Sequence, residues 1–164
     1  MAEPLELAHE AYDQRKFDEA REHCERVLEA EPLHAQALLL SGLTAKKQAR
    51  FEDAIALLEK ALAQAANPGA LGSLAESLRA VGRLEDALHY IKQYVEVEPA
   101  NAEAYLLEAT ILYGLGRYDA ALACTLRAKT FLPHSHVVEA QLGCVLIQLG
   151  HFEIAEFHFW NAAH

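Results

Sequence analysis

The chain has 164 residues, 52 % apolar and 23 % charged, with a formal net charge of -10. That length suits one domain or a short repeat array with a genuine core. The acidic balance argues against nucleic-acid and anionic-membrane surfaces, which both need a basic face, and leaves basic or apolar partners open.

The first residues carry acids where a secretory leader needs positive charge. No window approaches the roughly 18 uninterrupted apolar residues of a membrane-spanning helix. Cys24, Cys124 and Cys144 are scattered, odd in number and outside any Cys-x-x-Cys pattern. That usage fits a reducing compartment in which thiols serve as small apolar residues, so a cytoplasmic location is expected.

In chain order, an aromatic residue or Leu is followed three residues later by Ala at Phe17 and Ala20, Phe51 and Ala54, Leu84 and Ala87, Tyr118 and Ala121, and Phe152 and Ala155. The Ala spacings are 34, 33, 34 and 34. A small residue stands nine before each aromatic or Leu: Ala8, Gly42, Ala75, Ala109 and Gly143. Pro32, Pro99 and Pro133 each follow their Ala by 12. An acid follows each anchor directly, at Asp18, Glu52, Glu85, Asp119 and Glu153, where the positive end of a helix dipole favours it. Gly82, Gly116 and Gly150 sit in the turns, where positive φ is cheap for Gly. Each period predicts a helix, a short turn, a second helix and a Pro stop. The fold class is therefore all-α, a single domain over 1–164 with repeats at about 1–34, 35–67, 68–101, 102–135 and 136–164. The second boundary is irregular, because Pro68 comes two residues late and Gly69 and Gly72 follow it. It reads as an altered inter-repeat turn, or else as a flexing point or a place where a ligand approaches the backbone.

These features resemble the tetratricopeptide repeat family, whose pattern runs W-x2-L-G-x2-Y, then Ala, an aromatic and Pro. The best fragments are Leu142-Gly143 with Gly150 to Ala155, and Gly116 to Ala121. The opening Trp slot departs from the family, holding Pro4, Leu38, Leu71, Tyr105 and Glu139. So does the Tyr slot, with Ala11, Ala45, Leu78, Leu112 and Leu146, and the first two turns have Arg15 and Ala49 in place of Gly.

The resemblance implies a right-handed α-solenoid whose first helices line a concave groove. By that carry-over the groove presents Leu5, His9, Tyr12 and Asp13, then Gln36, Leu39, Leu40, Leu43, Lys46 and Lys47, then Ser73, Glu76 and Arg79. Leu106, Leu107, Thr110 and Tyr113 follow, and finally Val137, Gln141, Cys144 and Gln148. Such a surface suits an extended or helical peptide with apolar anchors, although any one of these Leu residues also reads as packing between repeats. Some family members grip a chaperone's C-terminal carboxylate with Lys and Asn, where this chain has Leu5 and His9. Lys46, Lys47 and Arg79 do not restore that clamp.

On the second helices one outward position holds Glu22, Ala56, His89, Ala123 and then Phe157; another holds Glu25, Glu59, Lys92, Leu126 and then Trp160. Two large apolar residues at the end of a solenoid, where a polar cap is usual, suggest a cut from a longer protein, pairing with another copy, or folding back onto their own repeat.

Catalytic chemistry finds little support. His134 and His136 lack supporting ligands at metal spacing, and His151 and His158 are read as having no partners. Cys144 is expected to be a packed small residue rather than a reactive thiol. Acids such as Glu52, Asp53, Glu85 and Asp86 are accounted for by helix capping. No nucleotide loop or nucleophile elbow is present. The expected function is a protein-interaction scaffold that binds a partner peptide or helix, with no cofactor, no metal, no nucleic acid and no membrane. Self-association through Phe157 and Trp160 is a further option. The alternatives are a bacterial secretion chaperone for an apolar export substrate, or a targeting or regulatory domain of a larger enzyme.

Overall fold

The computed structural model describes residues 3–163. Among them lie ten α-helices: α1 (Pro4–Asp13), α2 (Phe17–Ala30), α3 (Ala35–Lys47), α4 (Phe51–Gln64), α5 (Pro68–Ala80), α6 (Leu84–Val97), α7 (Ala102–Gly114), α8 (Tyr118–Phe131), α9 (His136–Gln148) and α10 (Phe152–Ala163). No strand occurs among the described residues. Odd-numbered helices open the repeats and even-numbered ones close them. The chain divides into two compact units, one ending at Arg83 and the other beginning at Leu84, so the division falls inside the third repeat.

In the first unit α1 packs on α2 and α3 on α4, with α2 against α3 and α4 against α5. In the second, α6 packs on α7, α7 on α8, α8 on α9 and α9 on α10. The small residues of the repeat make this possible. Ala8, Ala75 and Ala109 are wholly buried, as are Ala20, Ala54, Ala87 and Ala121, with Ala155 nearly so. At Gly42 an added Cβ would lie 2.7 Å from Leu58 Cγ, and at Gly143 2.7 Å from Phe159 Cζ. Those two helix pairs are therefore closer than any side chain at the crossing allows.

All five intra-repeat turns share one geometry. The residue two beyond the helix cap donates its N–H to a carbonyl five residues back, at 2.9 Å in each case: Lys16 to Ala11, Arg50 to Ala45, Arg83 to Leu78, Arg117 to Leu112 and His151 to Leu146. This is a Schellman closure, and it needs a left-handed residue just before the donor. Gly82, Gly116 and Gly150 take it at φ 82°, 72° and 80°, while Arg15 and Ala49 are held at 61° and 58°. The acids that follow the anchors lie in the first turns of the closing helices. They do not cap them, however. The cap residues of α2, α4 and α8 are Lys16, Arg50 and Arg117, none with a side-chain cap bond. The acids act instead through the dipole and, for Glu85, through an ion pair with Arg117 at 2.8 Å.

The irregular boundary is an altered turn. Residues 65–67 separate α4 from α5, one fewer than the four residues 31–34, 98–101 and 132–135 at the other junctions, which accounts for the spacing of 33. Pro68 has moved onto the first turn of α5, where its missing N–H leaves nothing unpaired, and Asn67 caps the helix by accepting from Ala70 N at 3.1 Å.

Candidate functional site

In the first unit α3 touches both α1 and α5, so the opening helices of three repeats stand side by side. Lys46 links two of them, with its ammonium bonded to Ser73 Oγ at 3.1 Å and paired with the Glu76 carboxylate. Lys46 is thus a bridge between repeats, its charge already compensated. His9, Lys47 and Arg79 are exposed. Leu5, Leu39 and Leu43 are half-buried, whereas Leu40 belongs to the core beside Ala8 and Cys24. Tyr12 is half-buried against that cluster and meets Phe17 edge-on at 5.7 Å between centroids. Burial, with the Asp13 charge adding to it, holds its phenol above the ordinary value.

In the second unit α7 and α9 are joined in the same manner by an uncharged link. Gln141 Nε2 donates to Thr110 Oγ1 at 3.0 Å and to the Leu106 carbonyl at 3.2 Å. Thr110 is exposed and Leu106 half-buried. Tyr113 is half-buried, edge-on to Tyr118 at 5.4 Å.

Two findings depart from the sequence reading. Cys144 is exposed, not packed. His158 has a partner: its Nδ1 lies 2.6 Å from Glu139 Oε2. A carboxylate only accepts, so the Nδ1 proton faces it. Glu139, only 6 % exposed, also holds Lys129 at 2.8 Å through its other oxygen. Burial pushes the Glu139 carboxyl up, but the bonds and charges of Lys129 and His158 outweigh it and leave it below its ordinary value. Elsewhere burial, reinforced by the Glu108 charge and hydrogen bond, pushes the Cys124 thiol up to about 12, so it stays protonated and a poor nucleophile. His134 and His136 are exposed. Among the described residues no three His, Cys, Asp or Glu are grouped to hold a metal ion, and no helix is long and apolar enough to cross a membrane.

Two surface features complete the candidates. A hollow of about 200 Å³ in the first unit is lined by Ala35, Gln36, Leu39, Ala61, Ala65 and Asn67. On α10, Phe157 and Trp160 are each 60 % exposed and Phe152 66 %. Sequence reasoning singled out Phe157 and Trp160, and it marked the irregular boundary and Leu39 that help to line the hollow, but not the hollow itself.

The family model for the tetratricopeptide repeat matches residues 5–70 and 73–135. The chain belongs to the tetratricopeptide repeat family. The fifth repeat lies beyond the matched residues, yet α9 and α10 carry its pattern of small residues and its Schellman turn. No curated protein sequence matches significantly. Among solved structures, a crystal structure of MamA superposes with a TM-score of 0.89 at 20 % identity, over 96 % of this chain and 92 % of that one. MamA residues 41 to the end from Desulfovibrio magneticus RS-1 gives 0.92 at 17 %, over 99 % and 95 %. YrrB, described as a tetratricopeptide repeat protein with an unusual peptide-binding site, gives 0.88 at 20 %, over 97 % and 82 %. At these identities the likeness establishes the fold.

Proposed function

We propose that this tetratricopeptide repeat protein is a cytoplasmic, non-catalytic interaction scaffold, its five repeats acting as one binding domain over 1–164. It captures an extended or helical segment of a partner protein on the exposed face of its opening helices. The observation that carries this reading is the combination of half-exposed apolar and exposed polar side chains on the opening helices of each unit by itself: Leu39 and Leu43 with His9, Lys47 and Arg79 in the first, and Leu106 and Tyr113 with Thr110 in the second. Apolar anchors with a polar surround are what a peptide carrying spaced apolar side chains requires. The peptide-binding site described for YrrB is in keeping with it. The test is selection of binding peptides from a displayed library, followed by amide-shift mapping on the labelled chain. Selected peptides shift amides of α3, α5 and α7, and Leu39→Glu with Leu106→Glu abolishes binding while the melting temperature holds. Shifts confined to the closing helices would move the site off this face.

A second reading rests on a separate observation, the 60 % exposure of Phe157 and Trp160. Large aromatic side chains on one helix face, well exposed, mark an association surface, and a second copy of the chain is the partner we infer for it.

A further inference from the structure

The hollow in the first unit opens where α3, the end of α4 and the short junction 65–67 meet. The repeat register shows what stands at the same place elsewhere: Ala61 is the eleventh residue of α4, where α2 has Val27, α8 has Ala128 and α6 alone has a hydroxyl-bearing side chain, Tyr94. Asn67 is the cap residue of α5, and Asn101 that of α7. In the second unit Asn101 does two jobs. Its Oδ1 accepts from Ala104 N at 3.1 Å, capping α7, while its Nδ2 donates to the Tyr94 hydroxyl at 2.9 Å. In the first unit Asn67 caps α5 in the same way. With Ala61 where α6 has Tyr94, there is neither a ring to occupy the space nor a hydroxyl for the Asn67 amide.

We propose that the hollow receives a tyrosine side chain of the bound partner. Its ring lies against Leu39, Ala61 and Ala65, and its hydroxyl accepts from Asn67 Nδ2. The partner thus supplies the phenol that the chain supplies to itself at Tyr94. The size agrees. About 200 Å³ is below the roughly 300–1,000 Å³ of pockets that enclose a whole small molecule, and suits one side chain. The chemistry agrees as well. The lining is mostly small and apolar with the amides of Gln36 and Asn67, and no charged side chain contributes to it. A neutral phenol is therefore admitted and a phosphorylated one refused, since a buried dianion needs a cation. The inference rests on the opening-helix face being the binding surface, because Leu39 belongs to both.

The test uses the full chain, labelled for amide-shift mapping and titrated with capped Ala-Tyr-Ala, Ala-Phe-Ala and phosphotyrosine tripeptides. The tyrosine peptide is expected to give saturable shifts confined to residues 35–39 and 61–67, with the phenylalanine peptide about fivefold weaker for want of one hydrogen bond and the phosphorylated peptide inactive. Asn67→Ser keeps a good helix cap while withdrawing the amide, and brings the tyrosine peptide down to the phenylalanine level. Ala61→Tyr fills the space from within and abolishes binding. Should that variant fail to fold, Asn67→Ser still decides. Equal binding of the tyrosine and phenylalanine peptides, or shifts elsewhere on the chain, would overturn the proposal. If no tripeptide binds while library-selected peptides still map to α3, α5 and α7, the tyrosine site fails and the scaffold function stands. If the selected peptides also miss those helices, both fail.

Discussion

At the scale of single residues, the turns carry the clearest contrast. Five Schellman closures share one hydrogen-bond length, but only three have Gly at the left-handed position. Arg15 and Ala49 pay a steric penalty there of roughly 1–2 kcal/mol, partly offset because Gly loses more freedom on folding. Ala49→Gly is therefore expected to raise stability by about 1 kcal/mol, read as a higher denaturation midpoint at unchanged slope. The same substitution at exposed Ala56, on the outward face of α4, is expected to lower stability, because a mid-helix Gly costs about as much. The opposite extreme is Ala121, wholly buried between α7 and α8. Ala121→Asp places an unpaired charge there and is expected to cost several kcal/mol; an unaltered melting curve would contradict the helix register. Both kinds of residue were legible in advance, since a period of 34 places every Ala and Gly without tertiary information. What was not legible was the behaviour of polar side chains. Lys46 reads as a groove cation until Ser73 and Glu76 are found on the neighbouring opening helix.

At the scale of elements, the junction of α8, α9 and α10 is an exception that the register explains. Glu139 occupies the slot that holds Leu38, Leu71 and Tyr105 in earlier repeats. Lys129, the twelfth residue of α8, corresponds to Leu28, Leu62 and Val95 on the earlier closing helices. Apolar pairs have been exchanged for an ion pair, with His158 from α10 as a third member. In the sequence the three departures looked unrelated, because the residues lie 10 and 19 apart and only the packing joins them. Removing one member strands a buried charge, whereas replacing all of them with apolar residues does not. Lys129→Met alone is expected to cost about 2 kcal/mol, moderated because Lys129 is about one-third exposed. Lys129→Val with Glu139→Leu and His158→Leu is expected to be neutral or stabilising, as judged by urea unfolding. The cluster also sets an acid dependence. Folding lowers the Glu139 carboxyl below its ordinary value of 4.5. The unfolded chain therefore binds its proton first as pH falls. The stabilisation is complete above that ordinary value and is lost as pH drops through the lowered one. The triple variant should show a shallower decline in stability over that acid window than the wild type.

At the scale of the molecule, the repeats differ in how they present apolar surface. Apart from Leu33 and Val97, the exposed large apolar side chains among the described residues all lie between Leu126 and Trp160. Within the second unit the difference between α8 and α10 is informative. Thr125 of α8 is wholly buried with α9 beside it, while its counterpart Phe159 on α10 is 36 % exposed even though the ring covers Gly143. Phe157 and Trp160 add a second apolar strip at positions that are acidic in the first repeat, Glu22 and Glu25. Electrostatics opposes any association of a chain with net charge -10, so a self-contact has to be apolar, and this strip is where the aromatic area is concentrated. Light scattering over a concentration series is then expected to give a mass that rises above 18.1 kDa for the wild type, more steeply at high salt as the repulsion is screened. Phe157→Glu with Trp160→Glu should hold the mass at one chain, with the proposed peptide-binding face of the opening helices unaffected. A wild type that stays at one chain at every concentration and salt would rule out self-association through α10. That outcome would leave the proposed capture of peptides by the opening helices standing, because the strip lies on a closing helix, α10.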